Sequence, residues 1–328
     1  MLSFPPTSLP RRQLLRSLIA LSLLPAVGGC KPTPPLTVAS HVWPGYELMF
    51  LARSEGWLPG EALRLLETRS ATDSIAALIE HRAEAAALTL DEVLRVRAEG
   101  IRLTVALVFD ISAGADVVIA KPEIRQLADL KGKVIGAETS ALGALILARL
   151  LTKAGLTKDD VSIVSIAPDS HLDAWRNRRL DVLITYEPTA SRLLAEGAKR
   201  LLDSRQFPET IFDVLAVRSD VAHQHEAALR ALISGHFRGI QRLRQNPQDT
   251  AYRLAGRLAL PGDRALQAFR GLQLPSLSEN RSLLAPAGRL LAASRELNTL
   301  MLASGLLAKT DNLLDLVSDA YLPDQEGT

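Results

Sequence analysis

Residues 102–120, RLTVALVFDISAGADVVIA, contain two apolar stretches joined by a short linker. The first, RLTVALVF, is rich in β-branched and aliphatic residues. The second, ADVVIA, has the same character, so both predict buried β-strands. The linker DISAGA between them predicts a crossing of the chain between two lobes of the fold.

On both sides of this stretch, short apolar runs alternate with longer amphipathic ones, which is typical of an α/β fold. Ser70 with Asp73, and Thr89 with Glu92, have the spacing of capping boxes at helix starts. The segments that predict further strands are LTVASHV, ALRLLET, AAAL, GKVIGA, VSIVSI, LDVLIT, AKRLLD and DVLAVR.

After Ser219 the apolar spacing is helical almost to the end of the chain. Breaks are predicted near Asn246-Pro247, Pro261-Gly262, Leu274-Pro275 and Pro286. A barrel would continue the strand–helix alternation to its end, so the pattern favours two α/β lobes. A second crossing is predicted near Phe212-Asp213, where DVLAVR returns to the first lobe.

The first 29 residues carry Arg11, Arg12 and Arg16 and no acidic residue, and an apolar run follows from about Leu18 to Val27. Spanning a bilayer takes about 20 apolar residues, roughly twice this run. The pattern predicts an export signal, residues 1–29, that ends before Cys30. The arginine pair fits either a twin-arginine signal or an ordinary basic n-region, and the sequence leaves both open.

The composition bounds the class of protein. The chain has 38 basic and 36 acidic residues, and removing the signal leaves 35 against 36, a net charge of −1 with histidines neutral. Aromatic content is 4%, and no basic stripe with interleaved aromatic residues is present, so we expect no nucleic-acid partner. The hydrophobic fraction of 47% is enough for a substantial core.

Catalytic sequence motifs are mostly absent. The chain contains no phosphate-loop motif and no GxSxG elbow, and its one cysteine is Cys30. The His223-x-His225 pair does not form a helical ligand set with an acidic partner. We therefore expect a protein that is not an enzyme and that has no cofactor or metal.

Polar residues instead collect where strands end and helices begin. The three places are Trp43-Pro44-Gly45-Tyr46, Leu88-Thr89-Leu90-Asp91 and Glu138-Thr139-Ser140. Ligands of open α/β sheets bind beyond the carboxyl ends of the strands, and backbone N–H groups at helix starts suit an anionic group. Helix capping alone also explains the residue types at Thr89 and Ser140.

Several separated motifs resemble one protein family. VWPGYELMFLARSEGWL, LTLDEVLRVRAEG, FDISAGADVVIA, LADLKGKVIGAETSALG and LDVLITYEPTASRLLAEG occur in this order. Together they resemble the solute-binding proteins of ABC importers in the nitrate, taurine and aliphatic-sulfonate group. The closing segment LASGLLAKTDNLLDLVSDAYLP, residues 302–323, resembles that group's C-terminal helices.

The resemblance implies a type II periplasmic binding fold, in which two α/β lobes close on a ligand in the cleft between them. Lobe 1 would comprise residues 37–112 and 214–328, and lobe 2 residues 113–213. The implied ligand-binding residues are Trp43, Gly45, Tyr46, Thr89, Asp91, Asp110, Ser112, Asp116, Glu138, Ser140, Tyr186 and Glu187.

This set contains five carboxylates and no lysine or arginine. Like charges 4 Å apart repel by roughly 4 kcal/mol at an effective dielectric constant of 20, so a simple anion is poorly matched. We therefore expect a small solute of the sulfonate, taurine or nitrate type that also bears an amine. Asp116 and Glu187 are the expected partners of that amine.

The sequence around the cysteine, Val27-Gly28-Gly29-Cys30, resembles the lipobox of bacterial lipoproteins. The resemblance implies that Cys30 carries several acyl chains, which together anchor a protein stably. Residues 30–36 would form a proline-rich, semi-rigid tether. We expect an exported monomer on the membrane surface, facing the periplasm or the cell exterior and attached only by lipid.

The implied partners are a small-molecule solute, an ABC permease and its ATPase. Two alternatives remain open from the sequence. One is an exported lipoprotein that senses a ligand. The other is an enzyme on the same fold, resembling thiamine-pyrimidine or menaquinone-pathway proteins, although those act in the cytoplasm and the pyrimidine synthases carry a cysteine-rich motif.

Overall fold

The computed structural model describes residues 33–325, together with Met1 and Ser3. The fold is that of the compact unit that begins at Pro35. Apart from Met1 and Ser3, the predicted export signal lies outside the described residues, as do Cys30 and the next two residues of the predicted tether. Within the described range, no helix combines the length and the apolar character needed to cross a membrane.

The strands fall in two sheets. The first has the order β11-β4-β10-β3-β1-β2, and the second has the order β7-β6-β8-β5-β9. Their bounds are β1 Leu36–Ser40, β2 Leu63–Glu67, β3 Ala85–Thr89, β4 Leu103–Ser112, β5 Asp116–Ala120, β6 Val134–Ala137, β7 Ser162–Ser165, β8 Val182–Tyr186, β9 Lys199–Asp203, β10 Phe212–Arg218 and β11 Leu272–Gln273.

The helices separate these strands and then dominate the C-terminal third. Their bounds are α1 Glu47–Ser54, α2 Ala71–Ile79, α3 Leu90–Ala98, α4 Leu142–Ala154, α5 His171–Arg176, α6 Thr189–Ala195, α7 Glu226–Gln245, α8 Pro247–Leu258, α9 Gly262–Ala265, α10 Leu277–Leu284 and α11 Arg289–Ala303. The breaks predicted between the last helices are confirmed.

The chain passes directly from β4 in the first sheet to β5 in the second, through residues 113–115. It returns through β10, which lies antiparallel between β3 and β4. Both crossings follow the predicted positions. Because β4 and β10 are neighbours, the two connections between the sheets leave the first sheet side by side.

Period-two alternation explains the packing of the second sheet. On β5, Val117 and Ile119 belong to one apolar cluster, whereas Val118 and Ala120 belong to another. Successive side chains of a strand point to opposite faces, so the sheet is buried on both sides. Leucine and isoleucine side chains of α4 cover one face, and α5 and α6 cover the other.

The prediction that residues 302–323 are helical is wrong for most of this segment. Helix α11 ends at Ala303, and Gly305 has a left-handed φ of +70°, a common way to end a helix. The segment then runs along the part of β4 that the two-residue strand β11 leaves unpaired, where Val105 pairs with Val317 in a parallel bridge. Unpaired backbone groups of a strand need such partners, and this need overrides the helical apolar spacing.

Arg97 of α3 fixes this segment. Its side chain is only 4% exposed and forms an ion pair of 3.0 Å with Asp311. It also donates to the backbone carbonyl groups of Leu103, at 2.6 Å, and Leu314, at 2.9 Å. The C-terminal segment is therefore held to the first sheet by a buried charge that is paired and hydrogen-bonded.

Candidate functional site

The predicted strand-to-helix junctions border a cavity between the two sheets, with a volume of about 30 Å³. A single water needs about 10–15 Å³ measured in this way, so the cavity holds about two waters as it stands. The residues that line it are His41, Trp43, Tyr46, Ala71, Thr89, Glu92, Asp116, Glu138, Leu142, Gly143, Ile146, His171, Ile184, Thr185, Tyr186 and Asp213.

The structure brings half of the predicted ligand-binding residues to this cavity. Those that line it are Trp43, Tyr46, Thr89, Asp116, Glu138 and Tyr186. Those that do not line it are Gly45, Asp91, Asp110, Ser112, Ser140 and Glu187. Most of the second group contact the first, so they shape the cavity without facing it.

Aromatic side chains form one wall. The rings of Trp43 and Tyr186 meet edge to face with centroids 5.5 Å apart, and His41 and Tyr46 do the same at 5.5 Å. Trp43 and Tyr46 are 6.5 Å apart. Burial lowers the pKa of His41 to about 4, so this ring is neutral near pH 7. The wall offers polarisable faces and edges but no positive charge.

Gly45 and Asp110 position Trp43. The indole Nε1 of Trp43 donates to Oδ2 of Asp110 at 2.9 Å. A Cβ atom on Gly45 would lie 1.7 Å from that same oxygen, so glycine is required for the carboxylate and the indole to meet. Both residues therefore act on the cavity through Trp43.

Asp213 was not predicted and lies on the floor of the cavity. Its Oδ1 accepts a 2.5 Å hydrogen bond from the Tyr46 hydroxyl group. Asp213 stands opposite Asp110 in the β4–β10 pair. Burial raises the pKa of Asp110 to about 7, and burial with the nearby Asp110 and Asp116 raises that of Asp213 well above its ordinary value.

Asp116 lies beside this pair at the start of β5. Its Oδ2 is buried and has no hydrogen-bond partner within the described protein. Burial raises its pKa to about 7. The hydroxyl group of Ser112 accepts from the Asp116 backbone N–H at 3.3 Å and lies 2.8 Å from Ser204 Oγ. Ser112 thus orders the crossing that presents Asp116.

Glu92, predicted only as a capping residue, connects the two sheets. One carboxylate oxygen accepts from the Thr89 backbone N–H at 2.8 Å, which caps α3. The other accepts from the Leu142 backbone N–H at 3.0 Å, at the first residue of α4. Burial, followed by repulsion from Asp91, raises its pKa to about 8. The Thr89–Glu92 spacing that predicts the cap is visible in the local sequence, whereas the contact of Glu92 with α4 forms only when the two sheets come together.

Glu138 makes the reciprocal contact from the second sheet. Its Oε1 accepts from the Thr72 backbone N–H at 3.2 Å and from the Thr72 hydroxyl group, at the second residue of α2. Ser140 Oγ lies 2.7 Å from the same hydroxyl oxygen. A glutamate beside the first sheet, Glu92, therefore contacts the N-terminus of α4 beside the second. Glu138, which follows a strand of the second sheet, contacts the N-terminus of α2 beside the first.

The remaining predicted carboxylates have local partners. Asp91 is buried, accepts from the Thr89 hydroxyl group at 2.7 Å and lies 4.0 Å from Arg95. Burial is also the main reason its pKa is raised. Glu187 accepts from the Ser191 backbone N–H at 3.1 Å, at the start of α6. The structure does not bring Glu187 to the cavity, and of the two expected amine partners only Asp116 lines it.

His171 is a further lining residue that sequence reasoning missed, because histidine was considered only in paired ligand motifs. Its Nε2 lies 3.3 Å from the carbonyl oxygen of Ile166 and its Nδ1 lies 3.0 Å from Thr185 Oγ1. The carbonyl oxygen can only accept, so Nε2 carries the proton and Nδ1 accepts from the threonine. Burial lowers the pKa of His171 to about 4.

The cavity is thus strongly acidic in its residue types. Glu92, Asp116, Glu138 and Asp213 line it, and no lysine or arginine does. Across residues 33–325, no group of three or more histidine or acidic side chains has the arrangement that holds a metal ion. The site offers hydrogen-bond acceptors and aromatic surface, a combination that suits a donor-rich cation.

Comparison with known proteins supports the fold. The periplasmic aliphatic sulphonate binding protein SsuA from Escherichia coli superposes with a TM-score of 0.72 at 18% identity, over 87% of this chain and 92% of that one. The ligand-binding component of an ABC-type import system from Staphylococcus aureus gives a TM-score of 0.71 at 15% identity, over 90% and 100%. The predicted periplasmic binding fold is confirmed.

Among curated proteins, one from Brucella abortus, named as a binding protein, is 27% identical over 124 residues. That match covers 37% of this chain and spans only 39% of the relative's length. The family model described as NMT1/THI5 like matches residues 43–250, which is more than half of the 328 residues. On this match, and in agreement with the fold, the chain belongs to the NMT1/THI5-like family.

Proposed function

We propose that this protein is the solute-binding component of an ABC importer and that it captures a small, amino-bearing solute without changing it. The observation that carries the proposal is the cavity between the two sheets, with four carboxyl groups and no lysine or arginine in its lining. An anion would find no positively charged side chain in this lining, whereas an amine would find carboxyl oxygens that accept its hydrogen bonds.

The two sheets would form the two lobes, with residues 37–112 and 214–328 in lobe 1 and residues 113–213 in lobe 2. Two adjacent connections between lobes allow a hinge motion. The present cavity has room for about two waters, so a solute of several heavy atoms requires the lobes to open first. Closure around it follows from contacts that both lobes make only in the closed state.

Delivery would require a permease and its ATPase, and export would require the N-terminal signal. We propose that the mature protein is a monomer attached to the membrane through acyl chains on Cys30. Intact-mass measurement of detergent-extracted protein would show the added acyl mass. The Cys30→Ser variant should appear in the soluble extracytoplasmic fraction, and an unmodified Cys30 would contradict the anchor but not the binding function.

Binding is tested by calorimetric titration with taurine, alkanesulfonates, nitrate and small primary amines, with small-angle scattering on the same samples. We expect at least one amine to bind and to make the protein more compact. Tight binding of nitrate without any response to amines would contradict the amine. Scattering profiles that superimpose with every solute would contradict capture by closure.

A matched pair of variants tests the location. Ala71 lines the cavity and is 4% exposed, so Ala71→Leu should fill the small space and abolish binding. Ala303→Leu makes the same change at an exposed position of α11 and should bind as the unaltered protein does. Equal loss of binding in both variants would contradict the assignment of the cavity.

A further inference from the structure

Three carboxyl groups meet where the chain crosses between the sheets. Asp110 and Asp213 face each other on β4 and β10, the strands that carry the two connections, and Asp116 begins β5 after the first crossing. All three residues are at most 3% exposed. Asp116 and Asp213 line the cavity, so this cluster is both at the hinge and at the site.

These carboxyl groups have fewer donors than oxygens. Oδ2 of Asp116 has no hydrogen-bond partner in the described protein. Oδ2 of Asp213 and Oδ1 of Asp110 also lack a donor among the surrounding groups, and two facing carboxyl groups can hydrogen-bond only if one of them holds a proton. Buried acceptors left in this state mark a place where a donor is missing.

The surroundings supply little compensating positive charge. The titratable or charged groups packed around the cluster are Tyr46, Asp91, Glu92, Arg95, Glu138 and Tyr186. Arg95 is directed elsewhere, since it donates to the carbonyl oxygen of Ala141 at 3.2 Å. His41 and His171 are neutral near pH 7. The cluster therefore stays buried without a cation only if it keeps protons.

We propose that Asp116 and Asp213 form the subsite for a cationic group that bears N–H donors, and that this cation enters in exchange for a proton held by the carboxyl cluster. This subsite presupposes the proposed solute-binding function. The proton leaves to solvent as the cation arrives, so the net charge of the closed cavity does not change. A quaternary ammonium group would satisfy the charge but not the unpaired oxygens.

Ethanolamine and choline are a matched pair of probes, because they differ only in methylation of the nitrogen. Ethanolamine, propylamine, benzylamine and taurine would be titrated at pH 7 in phosphate and in cacodylate, two buffers that contain no amine and whose ionisation enthalpies differ. We expect binding of at least one primary amine, release of up to one proton per site, and at least tenfold weaker binding of choline. Affinity for the amine should rise about tenfold per pH unit between pH 5 and pH 7.

Asn replaces a protonated Asp with almost the same shape, so Asp116→Asn and Asp213→Asn should fold as stably as the parent protein. Each should bind the amine at least tenfold more weakly and release less proton. Asp263→Asn changes an exposed residue of α9 and is the matched control. Far-ultraviolet circular dichroism and urea unfolding of each variant show whether a loss of binding reflects misfolding.

Several results would overturn the subsite. They are equal heats in the two buffers, choline bound as tightly as ethanolamine, unchanged binding in both cavity variants, or no heat with any amine. If nitrate or an alkanesulfonate binds and compacts the same protein, the binding function stands and the cation subsite falls. If no solute of any charge changes the heat or the scattering, both the binding function and the cation subsite are refuted.

Discussion

The hydroxyl group of Thr72 makes a contact between the two sheets that a single substitution can remove with little other change to the structure. It donates to Glu138 and lies 2.7 Å from Ser140 Oγ. Thr72→Ala keeps helix α2 and the backbone N–H that also reaches Glu138. A hydrogen bond to a charged acceptor contributes about 1.5–3 kcal/mol net. Its loss should raise the ratio of open to closed protein about 10- to 150-fold.

The ratio can be measured by pulsed dipolar electron spin resonance between spin labels at Glu80 and Lys153, which are exposed near the ends of α2 and α4. Labelling at introduced cysteines is specific once Cys30, the single cysteine, is replaced by serine. Thr299→Ala is the control, because that hydroxyl group bonds only within α11 at 3.0 Å. Identical distance distributions for Thr72→Ala and the parent protein would refute a role of this contact in closure.

Three further outcomes are expected. Gly45→Ala should cost about 3 kcal/mol of unfolding free energy in urea, because its Cβ would overlap a buried carboxylate. Gly60→Ala, with open space around it, should change stability by less than 1 kcal/mol. Arg97→Ala should cost about 3–5 kcal/mol by stranding a buried partner, whereas the exposed Arg69→Ala should leave the stability almost unchanged. Finally, carboxyl groups such as Asp116, with a pKa of about 7, hold protons near neutral pH in the folded protein. In the unfolded chain the same groups are deprotonated at that pH. The ligand-free protein should therefore gain about 1 kcal/mol per such group as pH falls from 8 to 6.5. Below 6.5 the buried neutral histidines oppose this gain, and a stability that falls steadily from pH 8 to 6.5 would contradict the reasoning.

The fold was largely predictable because its signals are local. Apolar runs of strand length, capping spacings and proline breaks each depend on a few neighbouring residues, and they placed β4, β5 and the crossing between them. The C-terminal segment shows where this fails. Apolar residues around Leu316 have helical spacing, but the part of β4 that β11 does not cover pairs with this segment. No property of the segment alone reveals that β4 has unpaired backbone groups there.

The site was half predictable for a similar reason. The loops that follow strands can be recognised from the sequence, and Trp43 and Glu138 were predicted to line the cleft because they lie in such loops. Asp213 lies on a strand that was expected, but it faces the cavity only because β10 inserts between β3 and β4. The second contact of Glu92 likewise depends on how the two sheets meet. The sequence therefore predicts the strand-to-helix junctions, with Glu138 among their residues, but neither Asp213 nor the contact of Glu92 with α4.

The helix N-termini around the cavity bear on the charge of the solute. Such N-termini suit anions, and three of them, at the starts of α1, α3 and α4, were identified from the sequence as suited to an anionic group. In the structure the protein's own carboxyl groups occupy two of the helix N-termini that border the cavity, with Glu92 at α4 and Glu138 at α2. An anionic solute would have to displace one of these glutamates from the backbone N–H groups to which it is hydrogen-bonded. Similarity of fold to a sulphonate-binding protein therefore does not carry over the charge of the ligand, since two helix N-termini at this cavity already have a glutamate of the protein as their acceptor.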